Sequence, residues 1–160
     1  MKPLAIVLII VCLAAFAGLG WLYFNSQFTV SFVSCVAADA ADQADSFAAL
    51  KKQLESGSFT GTRFTDTIPE DAGKHQFYTY TLRMNNRTPL PAEVVEIQIT
   101  PMSGDVLQAG SLDEADVPSG ESLDLTAVIL TDKAAQSIRE AYVTWYFWGV
   151  PFSARVTCGR

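Results

Sequence analysis

The sequence predicts a mainly β protein: an antiparallel β-sandwich with one packed α-helix, preceded by an N-terminal transmembrane helix. Three observations carry this. "PLAIVLIIVCLAAFAGLGWLYF", Pro3 to Phe24, runs for 22 residues without a charge. "AADAADQADSFAALKKQLES" (37–56) is rich in alanine and lacks Gly and Pro. From Ser58 onward, short alternating segments recur between turn signals, at the roughly 8–12-residue spacing of a sandwich or barrel. The chain of 160 residues therefore divides into an anchor, 1–26, and one outer domain, 27–160.

The apolar run is long enough to span, since a helix crosses the hydrocarbon core in about 20 residues. Trp21 and Tyr23 stand at its far end, where amphipathic rings favour the membrane interface. The cations beside the run, the amino terminus and Lys2, both precede it, and the next basic residue is Lys51. The positive-inside bias then puts the N-terminus in the cytoplasm and the outer domain outside the cell membrane. "AFA" at 15–17 matches a signal-peptide cleavage pattern, but the apolar run continues past it through Leu19, Trp21, Leu22 and Phe24. A retained signal anchor is the preferred reading, because cleaved apolar regions usually run about 7–15 residues. Cys12 reads as an ordinary residue of that helix, since Ile10 and Val11 are poor neighbours for a lipoprotein cysteine.

In the outer part, "FTVSFVSC" (28–35) alternates, with Phe28, Val30 and Phe32 on one side, as a strand does. The 37–56 segment sets Phe47, Leu50 and Leu54 on one helical face, and Gly57 offers a stop. "HQFYTYTLRMNN" (75–86) places Tyr78, Tyr80, Leu82 and Met84 opposite Phe77, Thr79, Thr81 and Arg83. "NNRTPLP" is a turn cluster whose prolines exclude a central strand. "AEVVEIQITP" and "SLDLTAVIL" supply two more alternating strands. "TDKAAQSIREA" offers a short helix capped by Thr131 or Asp132, and "YVTWYFWGV" and "FSARVTC" end the chain as strands.

Over about residues 77–130, with "YTLRMNNRTPLPAEVVEIQI…D…VPSGESLDLTAVIL" carrying the likeness, the chain resembles the small immunoglobulin-like domains of anchored bacterial surface proteins, including those of the FxLYD type. In these, a strand ending in Asn leads through a short loop to an alternating strand, and a Pro-x-Gly-x-Ser turn opens the next. The Phe-x-Leu-Tyr-Asp signature itself is absent. The resemblance implies an immunoglobulin-like sandwich outside the cytoplasm, and no particular reaction or ligand.

Charge and motifs exclude several chemistries. Setting aside Lys2, the chain carries 17 acids against 10 bases, a net of −7, where nucleic-acid binding wants a basic stripe. The one histidine, His75, is the sole imidazole base, and no G-x-S-x-G surrounds a serine. One His and two distant Cys do not supply the ligands of a zinc site. Asp39, Asp42 and Asp45 read as acids complementing a helix N-terminus. Asp113, Glu114, Asp116 and Glu121 lack the calcium-loop pattern. No cofactor is expected, and the reading is non-catalytic. Asn86-Arg87-Thr88 matches a glycosylation triplet that its following proline disfavours.

Two features remain. Cys35 and Cys158 lie at opposite ends of the outer domain. A disulfide between them would close a loop worth about 4–5 kcal/mol in the chain-entropy model. A bridge expects them on neighbouring strands; the other reading is two buried free thiols. The second feature is "TWYFWGVPF" (144–152), with Trp145, Tyr146, Phe147, Trp148 and Phe152 in nine residues. Both faces of this strand are apolar. The expectation is that Trp145 and Phe147 enter the core while Tyr146 and Trp148 lie beneath the 37–56 helix. The expected function is an interaction module binding another cell-envelope protein. The alternative is a platform of Tyr142, Tyr146 and Trp148 open to cell-wall glycan or peptide.

Overall fold

The computed structural model describes residues 2–25, 27–109 and 115–159, with the side chains of 2–4 and 22–25 outside that description. Half of the chain is strand, in two antiparallel sheets that face each other as a sandwich. A helix, α1 (Lys2–Asn25), precedes β1 (Phe28–Asp39). After α2 (Ala44–Ser56) come β2 (Gly61–Arg63) and β3 (His75–Asn86), then β4 (Ala92–Ile99) and β5 (Asp105–Ala109). The chain closes with β6 (Ala115–Val117), β7 (Ser122–Asp132), β8 (Arg139–Phe147) and β9 (Val150–Cys158). One sheet runs β1-β3-β7-β5-β2 and the other β6-β4-β8-β9.

The alternating segments fold as their periodicity dictates. Tyr78, Tyr80, Leu82 and Met84 of β3 face Val95, Ile97 and Ile99 of β4 and Val143 and Trp145 of β8 across the central core. A bulge between Phe32 and Ser34 shifts the phase of β1 by one residue. Phe28, Val30 and Phe32 thus face the core before it, and Cys35 after it. A second bulge in β4 lets both Ala92 and Val95 be buried and leaves Val94 exposed at φ 51°.

A second core lies on the outer face of the five-stranded sheet. There α2 lays Phe47 and Leu54 against Phe77, Leu107 and Leu130, with Leu50 alongside. The helix thus buries the predicted stripe, and Gly57 caps it at φ 70° in the left-handed region that glycine tolerates best. Its start differs from expectation. Residues 37–39 extend β1, because Ala37, Ala38 and Asp39 continue the ladder with Tyr78, Phe77 and Gln76. Alanine favours helix, and pairing with the neighbouring strand overrode that preference here. The three acids therefore do not share one helix face: Asp39 ends the strand and pairs with Lys133, Asp42 sits in the turn, and only Asp45 lies in the first helical turn.

The 131–141 segment forms no helix. β7 runs to Asp132, turns follow, and β8 begins at Arg139. A cross-sheet ion pair fixes that start. The Arg139 guanidinium donates from Nη2 and Nε to the two Asp105 oxygens at 2.8 and 3.2 Å, both side chains being fully buried. Such a group is stable inside only when its charge and its donors are matched. Here Ile138 carbonyl oxygen accepts a further bond, and Met102 N–H donates to Asp105 at 2.7 Å.

Residues 2–25 are helical, as the apolar run predicts. From Ala5 to Leu19 every side chain is exposed, so this apolar surface is not covered by the sandwich. Among the described residues no helix is long and apolar enough to cross a membrane, and the predicted span 3–24 extends past the described side chains at both ends.

Candidate functional site

The two outer faces of the sandwich differ. α2 covers that of the five-stranded sheet. Among the described residues, no helix lies on the outer face of the four-stranded sheet. On it, the even-numbered residues of β8 stand between mostly polar neighbours of β4 and β9. Gln98 and Arg155 flank Tyr142, Glu96 and Ser153 flank Thr144, and Glu93 and Pro151 flank Tyr146. The Arg155 guanidinium carbon lies 5.9 Å from the centre of the Tyr142 ring, and the same guanidinium pairs with Glu140. This is a cation–π contact held in place by an ion pair on one face.

The odd-numbered residues of β8 go the other way, as predicted for Trp145 and Phe147. Trp145 is 5% exposed, stacked at 4.3 Å on Phe28 and at 6.3 Å on Phe152. Phe147 packs edge-on against Phe28 at 6.2 Å and Phe152 at 5.4 Å. The expectation for the even face is corrected. α2 lies on the opposite sheet, so Tyr146 is only half-buried and Trp148 is 79% exposed. The helix follows β1 rather than the hairpin because its stripe meets Phe77, Leu107 and Leu130, the outward residues of β3, β5 and β7.

Trp148 and Gly149 form the two-residue loop between β8 and β9, with Phe147 opposite Val150. Their φ values are 51° and 76°. Positive φ at both central residues is the geometry that hairpin twist favours, and it normally selects Asn-Gly. A tryptophan there is strained in its backbone and left in water. Val94, at φ 51° in the same sheet, is strained in the same way. Sparsely populated conformations of this kind gather at functional positions. In the sequence Gly149 and Pro151 read as a bend between the last two strands, but nothing in "YVTWYFWGV" marked Trp148 as the first residue of a two-residue loop.

His75 lies in a groove of about 500 Å³ at the other end of the sandwich. Its Nδ1 bonds Asp71 carbonyl oxygen at 2.8 Å, which requires the proton on Nδ1. Nε2 then faces the Asp132 carboxylate at 3.5 Å. The groove wall includes Thr65 and Thr67 but neither serine nor cysteine. The imidazole ties the 3-10 turn Ala72–Lys74 to the end of β7. Among the described residues no cluster of three metal-binding side chains occurs. Asp113 and Glu114 lie outside the described residues; Asp116 accepts a bond from Val94 N–H at 3.1 Å.

Cys35 and Cys158 are free thiols on β1 and β9. These strands belong to different sheets and approach each other at the rim of the sandwich. Burial raises the Cys158 thiol to about 11, with the nearby Cys35 adding to it. Burial also raises Cys35, against an opposing bond with Tyr80. Asn86 of the glycosylation triplet is fully buried: its amide donates to Leu90 and Val117 carbonyls at 2.8 and 2.9 Å and accepts from Thr88. It is a structural side chain.

No family model matches the chain, and no curated protein matches it. Among solved structures it is similar to a FixG-related protein from Vibrio parahaemolyticus, at 16% identity over 83% of this chain and 92% of that one, with a TM-score of 0.41.

Proposed function

We propose that the protein is a non-catalytic binding module of immunoglobulin-like arrangement, held at the outer side of a cell membrane by its N-terminal segment. Its binding surface is the outer face of the four-stranded sheet, and its partner is another cell-envelope protein. One observation supports this above the others: among the described residues, only one outer face of the sandwich is covered by a helix. The other presents Tyr142, Tyr146 and Arg155 on a rigid sheet and ends in exposed Trp148. Tyr and Arg are among the residue types that dominate protein–protein hot spots. The exposed apolar side chains of residues 5–19 and the lone flanking cation Lys2 support the membrane attachment and its orientation.

A glycan or peptide ligand is the second reading. Glu93, Glu96 and Gln98 beside the rings favour it, because hydroxyl-rich ligands want polar groups near an aromatic face. The Arg155 contact weighs against it, since it already occupies one side of Tyr142. The test is a pair of variants, Tyr142→Ala and Tyr146→Ala, in the full membrane-held chain. Unchanged melting temperature with loss of a cross-linked envelope protein supports the main reading. Loss of binding to purified cell-wall fragments, with the protein cross-link kept, supports the second. Retention of both by both variants contradicts the site.

A further inference from the structure

The register of the strands puts several chain features at one end of the sandwich. Phe28 pairs with Asn86, and Asn85 with Ser122, so β1 begins where β3 ends and β7 begins. Ala92 pairs with Val117, and Glu93 with Tyr146, so in the other sheet β4 begins where β8 ends. The two sheets are locked together at this end by the Phe28 ring, which packs on both Trp145 and Phe147, and by Asn86 bonded to Val117. The Trp148-Gly149 tip therefore projects from the end at which α1 joins the domain. From Asn25 to Phe28 is three residue steps, a reach of about 10 Å at most.

Charge divides the same way. The segment 141–154, "AYVTWYFWGVPFSA", carries no charged residue, and Trp148, Val150 and Phe152 are all exposed large apolar side chains. At this end the exposed charges among the described residues are Arg87 and Glu121 in the loops and Asp116, with the Arg83–Asp124 pair, on the adjoining strand ends. The opposite end carries Asp39, Asp66, Glu70, Asp71, Asp132 and Lys133, all exposed.

We propose that the β8–β9 tip is a lipid contact. Trp148, with Val150 and Phe152 behind it, enters the headgroup zone of the bilayer that α1 enters, and fixes the tilt of the sandwich. The proposal rests on the membrane-held reading above. A tryptophan is the residue chemistry selects for this zone, since its ring is apolar and its N–H remains wettable. The left-handed backbone at Trp148 holds the ring away from the sheet, and an uncharged tip removes the cost of bringing charge to the acyl boundary. A second hydrophobic contact beside a helix anchor converts a swivelling domain into one with a defined orientation.

The test uses the full chain with all tryptophans as 5-fluorotryptophan, in phosphatidylcholine vesicles carrying a lipid with a nitroxide in its upper acyl chain. The three fluorine signals, from Trp21, Trp145 and Trp148, are assigned with Trp21→Phe and Trp148→Phe, leaving the core ring unaltered. The proposal expects Trp21 and Trp148 to be broadened several-fold by the nitroxide and Trp145 to stay sharp. A broadened Trp21 with a sharp Trp148 overturns the hairpin contact while leaving the anchored reading intact. Sharp signals from all three overturn both.

Discussion

Gln108 shows how single polar side chains hold this sandwich together. It is buried on β5, and its amide donates to Ile97 carbonyl oxygen at 2.7 Å and accepts from Ile99 N–H at 2.8 Å. Those groups belong to β4, whose ladder with β6 reaches Val95 among the described residues. One side chain thus pins the two sheets together. Asn86 does the same for the 87–91 loop, and Arg139 with Asp105 does it at the far end. Each is a large buried polar group whose loss leaves its partners unsatisfied. Asn86→Ala is expected to cost about 3 kcal/mol, because at least one buried backbone carbonyl loses its donor. Arg139→Met is expected to cost about 3–5 kcal/mol by stranding the Asp105 carboxylate, and Asp105→Leu added to it should recover much of that loss. Chemical denaturation of the three variants checks both numbers. None of these roles was legible in the sequence. Asn86 looked like part of a turn or a glycosylation triplet, and Arg139 like the end of a short helix. A polar residue announces that it is buried only through partners distant in the chain.

At the scale of elements, the β8–β9 hairpin separates packing from function. Trp145→Ala should destabilise the domain by about 3–5 kcal/mol, as large-to-small core changes do. Trp148→Ala should move stability by no more than about 0.5 kcal/mol, as exposed substitutions do. Trp148→Asn should do better than neutral and raise the melting temperature, because Asn-Gly suits a loop with two positive φ values. Thermal melts of the three variants decide this; a strongly destabilising Trp148→Asn would contradict the reading of the turn. The strands and the helix face were legible because alternation and the 47/50/54 stripe report burial directly. Which sheet the helix would cover was not. Both faces of β8 are apolar, and the outward Phe77, Leu107 and Leu130 of the other sheet made no comparable display in the sequence.

At the scale of the whole molecule, the thiols shape the alkaline response. Cys158 keeps its proton to about pH 11 when folded, whereas an unfolded thiol releases it near the ordinary value of 9.0. Between those values the unfolded chain binds fewer protons than the folded one, so stability falls as pH rises. Below about pH 9 the Cys158 contribution is fully present and constant. Urea midpoints from pH 7 to 11 should be flat at first and then decline, and a Cys158→Ala chain should lose part of that decline. The larger design is an asymmetric sandwich, with a helix on one face, open rings on the other, charge at one end and apolar groups at the end that follows α1. The central claim is that the open face of the four-stranded sheet is where a partner binds. Its most direct test is a photo-crosslinking amino acid placed at Tyr142, at Tyr146 and, as control, at Lys51 on α2, in the full chain in its native membrane. The account predicts one discrete adduct shared by positions 142 and 146 and absent at 51. Adducts confined to position 51 would contradict it.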